Sequence, residues 1–433
     1  MGSTVCEAVG SAAGTELVAA VDPSLLLSRT PIYPLRQPLS ISRLKLNVDI
    51  LPHPLCPFGE DRAGRLSFSH GRLLTVGANG FDMDNRVKVL LRLKGDAKRA
   101  LYLTRYAWRR RLARHATALK LTRVDDRTVP LDQSEIRLFM VARNESLRLP
   151  FMIEHYFRRG VDRIFVVDND STDDTPSIVL SHDKTHLYHT RDNFANKAVW
   201  LDLLLRQYGR GCWCVVVDAD EVLLYPGYEN VPLREFCDFL CRRGYDALHC
   251  VLLDMYPRGA LDRVEYETGR DPLAIAPWFD RVSDVGGGSE TFYGVEENLL
   301  YQGPSRLTGG MRKRVFGITP YLSKFPLVRF RRRIYLSVGT HSIEGARISE
   351  LRGALLHFKY LQDFAVNVRR EITREQYWHN ASEYKIYGAV MDDSSNFEIW
   401  YPGSEKFENS AQLVRLGIMR SSLDFERDIQ RCQ

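Results

Sequence analysis

With 433 residues, 44% hydrophobic and 26% charged, the chain has the make-up of a globular protein of two or three domains. The net charge of +6 is modest and accompanies no recognised nucleic-acid-binding motif, so nucleic acid is not an expected partner. No apolar run reaches the ~18 residues that span a bilayer. The eight cysteines sit mostly inside apolar patterns and read as reduced thiols of a cytoplasmic protein rather than as a disulfide framework.

Residues 1–30 are rich in small residues and predict a disordered N-terminus. Residues 31–133 carry short alternating runs separated by turn residues, and predict a small β-rich accessory module with a basic helical connector at 97–120. In that connector Arg105, Arg109, Arg110, Arg111 and Arg114 surround Tyr106 and Trp108. A second knot holds Arg329, Arg331, Arg332 and Arg333. The two knots read either as solvated faces or as a peripheral contact with anionic lipid at the inner face of the membrane, or with an anionic acceptor.

From Glu135 the pattern changes to regular alternation of strands and helices. Strands are predicted at 137–142, 163–167, 213–217 and 247–253, and helices at 149–159, 196–208 and 232–243, each helix stopped by a glycine (Gly160, Gly209, Gly244). Ser171-Thr172-Asp173-Asp174 reads as a helix N-cap with acidic residues in the first turn. The expected fold class is α/β: a doubly wound, mostly parallel sheet with helices on both faces over 134–390, preceded by the β-rich module. Residues 391–433 read as a C-terminal helical tail, with a packed helix near 407–418.

Ligands of such sheets bind outside the carboxyl ends of the strands. Those ends here carry Arg143-Asn144-Glu145, Asp168-Asn169-Asp170, Asp218-Ala219-Asp220-Glu221 and Asp254. The sharpest is the acidic run after the apolar strand. On an extended backbone Asp218 and Asp220 project to one side, and two carboxylates at a buried strand end need a positive charge between them. A hard divalent cation, Mg²⁺ or Mn²⁺, is the simplest guest. An acidic pair that caps a helix or binds arginine would leave the same letters.

Together, Val141-Ala-Arg-Asn-Glu, Val167-Asp-Asn-Asp-Ser-Thr-Asp-Asp-Thr, Asp218-Ala-Asp-Glu and Leu253-Asp-Met-Tyr-Pro resemble the family 2-type glycosyltransferases, and more closely a bacterial Asp-x-Asp subgroup with the GT-A fold. Gly309-Gly-Met-Arg-Lys-Arg-Val-Phe, Lys324-Phe-Pro-Leu-Val-Arg, Gly339-Thr-His and Leu355-Leu-His-Phe-Lys-Tyr extend the resemblance, which spans 135–390 and leaves the N-terminal third aside.

The resemblance implies a nucleotide-sugar donor, a divalent metal (Mn²⁺ or Mg²⁺), and a glycan or lipid-linked acceptor, in an inverting transfer of bacterial surface polysaccharide synthesis. Asp220 would hold the metal, with Asp218 beside it on metal or ribose. His357 is preferred to His341 as a further ligand, a core histidine being the alternative for both. Asp168, with Asn169 beside it, matches the position that meets the nucleotide base, unless it only caps the Ser171 turn. Arg143 and Glu145 lie where the first strand meets the nucleotide, or form an ordinary ion pair. Lys197 faces the donor or merely opens its helix. Arg312 and Arg314 share one side of an extended segment and would grip the diphosphate, or belong to a solvated loop.

Asp254 is the expected catalytic base, unless it caps the Met255-Tyr256-Pro257 turn; Glu221 and Glu290 follow it. Gly286-Gly287-Gly288 and the residues to Gly294 read as a mobile loop over the acceptor or as a surface insertion. Two other classes compete. A nucleotidyltransferase would want a Gly-rich loop after the first strand, where Arg143-Asn144-Glu145-Ser146 stands instead. A non-catalytic glycan- or membrane-binding scaffold would have no use for an intact set of buried carboxylates.

Overall fold

The computed structural model describes residues 117–281, 293–296, 306–337, 340–376, 378–393 and 396–432. The N-terminal segment, the accessory module as far as residue 116, the first arginine knot, the glycine triplet at 286–288 and Glu290 lie outside the described residues.

Nine strands form one sheet: β1 (Thr122–Arg123), β2 (Ile136–Ala142), β3 (Arg163–Asp168), β4 (Thr185–His189), β5 (Trp213–Val216), β6 (Glu221–Leu224), β7 (Ala247–Asp254), β8 (Ser323–Arg329) and β9 (Ile348–His357). Their order is β1-β4-β3-β2-β5-β8-β7-β9-β6. The block β4-β3-β2-β5 is parallel, as the strand–helix alternation leads one to expect. Beyond β5 the sheet is mixed. β8 runs antiparallel between β5 and β7, and β9 is parallel to β7 and antiparallel to the short edge strand β6.

All seven residues of β2 are buried, and their alternation builds both faces. Leu138 and Met140 pack in one cluster with Met152, Ile153 and Tyr156 of α1 (Leu149–Arg158) and with Phe236 and Leu240 of a later helix. Phe139 and Val141 pack on the opposite face with Trp200, Leu201 and Leu204. In chain order the helices are α2 (Thr175–Leu180), α3 (Lys197–Tyr208), which carries Trp200, and α4 (Leu233–Arg242), which carries Phe236. Gly160 and Gly244, with φ of 94° and 70°, close α1 and α4 in the left-handed region.

A third cluster flanks the carboxyl ends of β7 and β9. It gathers Met311 and Phe316 of α5 (Met311–Phe316), Phe364 and Val368 of α6 (Phe364–Arg374), and Tyr384 and Tyr387 of α7 (Trp378–Asp392) around Tyr256 and Tyr360. Of the C-terminal residues, α8 (Ser410–Arg415) buries Leu413, and Phe425 of α9 (Leu423–Cys432) meets Phe236 and Phe239 of α4 with ring centroids 5.4 and 4.9 Å apart.

The second arginine knot has an internal role. Arg331 and Arg333 both pair with the buried Asp246, at 3.0 and 2.8 Å, and Arg329 reaches Cys241 Sγ. Arg331 and Arg333 thereby fasten the end of β8 to the start of β7. No described helix is long and apolar enough to cross a membrane.

Gly353 sits in β9, between β7 and β6. A Cβ there would lie 2.5 Å from Leu224 O and 2.7 Å from Cys250 Sγ. Gly353→Ala must therefore push β6 off its neighbour, and a loss of roughly 1–3 kcal/mol is expected. Denaturant unfolding monitored by circular dichroism measures it.

Candidate functional site

The site begins with strand register. β9 runs parallel to β7 so that His357 stands beside Asp254, and antiparallel to β6 so that it also stands beside Glu221. The imidazole then bridges two carboxylates: Nδ1 lies 2.7 Å from Asp254 Oδ1 and Nε2 lies 3.2 Å from Asp220 Oδ2. Burial opposes a charged ring, but Asp220 and Asp254 outweigh it and hold His357 up at about 9. Burial would likewise raise Asp220, yet His357, Arg148 and Lys324 keep its carboxylate well below the usual range.

Asp254 has both oxygens engaged. Oδ2 accepts from Arg312 Nε at 2.9 Å, and Arg312 and His357 overcome burial to hold the group at about 2. In this arrangement Asp254 bridges Arg312 and His357. It orients His357 and does not cap the turn after β7, where Met255 N–H donates to His357 O and Tyr256 N–H to Trp278 O.

The acidic run is a turn, not a strand end. β5 stops at Val216, and Glu221 N–H donates back to Asp218 O at 3.2 Å, so Asp218 and Asp220 do not share an extended face. Asp218 lies between two ammonium groups, Lys197 and Lys324, the latter at 3.4 Å. Despite burial, the two lysines hold it at about 2. Asp220 turns toward His357, its own carbonyl fixed by Phe358 N–H at 2.8 Å. Glu221 is 1% exposed, pairs with Lys324 and accepts from Asp218 N–H. Burial raises its pKa against the pull of Lys324.

Among the described residues, Asp220, Glu221 and His357 bring one potential ligand atom each within 4.8 Å of one another. Two carboxylates and an imidazole suit Mn²⁺ or Mg²⁺. Asp218, expected as a ligand, is not in this trio. His341 is apart as well: its Nδ1 lies 2.9 Å from Ser323 O, and burial beside Lys324 lowers it to about 3, the behaviour of a neutral core histidine.

The loops after β2 and β3 form a single lip. Asn144 and Asp170 adopt φ of 53° and 60°, a left-handed turn that short polar side chains tolerate. Asn144 N–H donates to Ser171 Oγ at 2.9 Å, Thr172 N–H to Asn144 Oδ1 at 2.7 Å, Glu145 N–H to Thr175 Oγ1 at 2.8 Å, and Ser146 N–H to Asp173 Oδ2 at 3.1 Å. Asp168 accepts from Ser171 N–H, capping that turn, and also meets His189 Nδ1 at 3.0 Å. Arg143 donates to Asn169 O, while the Asn169 amide donates to Thr190 O and Asp192 O and accepts from Arg374. Glu145 pairs with Arg148 at 3.1 Å. Burial, with Asp220 and Asp363 nearby, pushes its carboxyl up to about 8 against Arg148.

Arg312 and Arg314 part company. They lie in the helix α5, not on an extended segment, so two residues turn them through most of a half circle. Arg312 is buried against Asp254 and reaches Glu383 at 3.3 Å. Arg314 forks onto Asp280 with two bonds of 2.7 Å, away from the acidic turn.

Several site residues escaped the sequence reading. Arg148 is 3% exposed and ties Asp363 (2.8 and 2.5 Å) and Phe358 O (3.1 Å) to the lip. Lys324 is the one charge among the six buried residues of β8, a pattern that could have marked it. Lys359 rests over the rings of Tyr384 and Tyr387, at 4.4 and 4.7 Å from their centroids.

Residues 138–229 match the family described as glycosyl transferase family 2. No curated protein matches the chain. Among solved structures, it is similar to glucosyl-3-phosphoglycerate synthase from Mycobacterium tuberculosis, solved with Mn²⁺, UDP and glucosyl-3-phosphoglycerate: 18% identity, 28% of this chain and 44% of that one covered, TM-score 0.19. A second structure, of a mycobacterial protein, shares 18% identity over 30% of this chain and 47% of its own, also with a TM-score of 0.19. The chain thus spans less than half the length of either. The segment that matches family 2 runs from β2 through the acidic turn and past β6.

Proposed function

We propose that the protein moves a sugar from a nucleotide-sugar donor to a glycan or lipid-linked acceptor with the help of a divalent cation, Mn²⁺ or Mg²⁺. The observation that carries this reading is the line Asp220–His357–Asp254 at the junction of three strand ends, with Glu221 beside it. An imidazole oriented by a carboxylate on one nitrogen and open toward another carboxylate on the other is a common way to present a metal ligand. Asp220 and His357 would hold the cation and Glu221 would complete the set, in exchange for its contact with Lys324. When bound, the cation neutralises charge that develops on the departing diphosphate.

The protein's own side chains do the rest. The stapled lip of Arg143, Glu145, Asp168 and Asn169 receives the nucleotide; its internal hydrogen bonds hold it ready before the donor arrives. Lys197, shared with Asp218, stands on the donor side of the acidic turn. Arg312 offers the diphosphate a buried Nη2 that has no hydrogen-bond partner. Arg314 has no part in this grip. The polysaccharide product and the inverting outcome follow the resemblance, with Asp254, beside His357, and then Glu221 as the carboxylates at the metal-capable trio that could take the acceptor proton. Against a nucleotidyltransferase, the loop after β2 is held together by side chains and contains no glycine.

Incubation with UDP-, GDP- and dTDP-sugars plus Mn²⁺ tests the reading. Release of nucleoside diphosphate from one of them is expected, and its absence with all three, together with no Mn²⁺ uptake, overturns it. Asp254→Asn leaves the ligands in place but loosens His357, so Mn²⁺ affinity measured by calorimetry should fall about 10–100-fold.

His357 also sets a pH signature of the metal-free protein. Its folded pKa of about 9 exceeds the unfolded value near 6.5, so its stabilising contribution is complete below about pH 6.5 and lost as pH rises through about 9. The loss amounts to roughly 3 kcal/mol. Thermal unfolding from pH 6 to 9.5 should show a decline that His357→Gln removes. An unchanged slope in that variant would place the titration elsewhere.

A further inference from the structure

β4 ends on a histidine that has one ring nitrogen committed and the other open. Strand register sets His189 directly beside Asp168, the last residue of β3. His189 is the one residue of β4 that is not buried; its side chain is 37% exposed, against 2% for Asp168. The Asp168 carboxylate is occupied within the protein. Both of its oxygens accept from Ser171 N–H, at 3.2 and 3.3 Å, and Oδ2 meets His189 Nδ1 at 3.0 Å. An ionised carboxylate only accepts, so Nδ1 carries the proton and Nε2 of the neutral ring presents a lone pair. Nε2 lies 3.9 Å from Asp170 Oδ1, too far for a hydrogen bond.

His189 lines an open recess of about 530 Å³ together with Lys120, Thr122, Thr190, Arg191 and Asp192, at the edge where β1 pairs with β4. The charges of the recess are already answered: Lys120 pairs with Asp192 at 2.9 Å and Arg191 with Asp170 at 3.2 Å. A phosphate would have to break these pairs to be held, whereas a flat, uncharged ring would not. The recess is tied to the lip after β3, where the Asn169 amide donates to Thr190 O and Asp192 O at 3.1 and 3.0 Å.

We propose that His189 reads the nucleobase of the donor in this recess, positioned by Asp168, and that it selects bases carrying a ring N–H. This rests on the glycosyltransferase reading of the site. Uracil and thymine at N3, and guanine at N1, offer a donor that Nε2 can accept. Cytosine and adenine place a ring acceptor at the same point, where two lone pairs meet and neither is satisfied. Asp168 therefore acts on the base through His189 and not by contact, because its own oxygens are covered and already bonded.

Calorimetry on the full chain with Mn²⁺ tests this with two matched pairs of probes, UDP against CDP and GDP against ADP. In at least one pair the base with the ring N–H should bind about tenfold more tightly, or better. His189→Phe keeps a ring at the strand end but removes the acceptor, and should bring the members of that pair within about threefold of each other. If that variant unfolds at a lower temperature, His189→Leu gives the same comparison. A merely structural His189 would weaken both members alike and leave their ratio as it was, a result that overturns the inference. Equal affinities within both pairs in the original protein, or a preference for CDP over UDP or ADP over GDP, also overturn it. Binding of none of the four would remove the site reading beneath it, and the inference with it.

Discussion

The site depends on one buried cation, the His357 imidazolium held between Asp220 and Asp254. Without it, two carboxylates would face each other in a place where water cannot screen them. The register that creates this bridge comes from β9, which is paired with β7 on one side and β6 on the other, so that the last residue of β9 meets the last of β7 and the first of β6. The same logic extends outward. Lys197 and Lys324 answer Asp218 and Glu221, Arg312 answers Asp254, and Arg148 answers Asp363. The fold brings these carboxylates together only because it supplies a cation to each.

That balance explains why so much of the site is rigid. Arg148 is bound at once to the lip after β2, to the segment after β9 and to Asp363. Phe358 N–H fixes the acidic turn to the end of β9. Removing one partner from such a network leaves an uncompensated buried charge, which costs more than the pair contributes. Positioning and stability therefore draw on the same residues, and a change at the site is felt in the fold.

Local patterns made the parallel half of the sheet legible. The apolar runs of β2, β3, β5 and β7 and the glycines that close α1 and α4 act over a few residues, and the structure places them where the sequence does. The acidic residues were legible as a site but not in their aim. Asp218 and Asp220 occupy a turn, and which acid meets His357 and which meets lysine follows from β8 and β9, strands far away in sequence. The antiparallel insertions of β6 and β8 are pairing decisions made between distant segments, with no local mark. Arg312 and Arg314 were misjudged for a related reason. A six-residue helix after a glycine pair leaves little periodicity to read, and treating it as extended put both guanidiniums on one side. Lys324 and Lys359 were visible as letters, but only their burial and partners make them part of the site.

A site already close to electrical balance constrains how ligands enter it. A divalent cation alone adds positive charge beside His357, Lys324 and Arg312, and must displace a proton or an ion-pair contact to gain its ligands. A diphosphate alone adds negative charge beside Asp218, Asp220 and Asp254. Each arrival is opposed by the residues that favour the other, whereas together they come near to cancelling. On the proposed function, metal and donor therefore raise each other's affinity, and by linkage the effect is equal in both directions. The coupling needs no movement of the fold; it follows from charges that β6, β7 and β9 hold in fixed places.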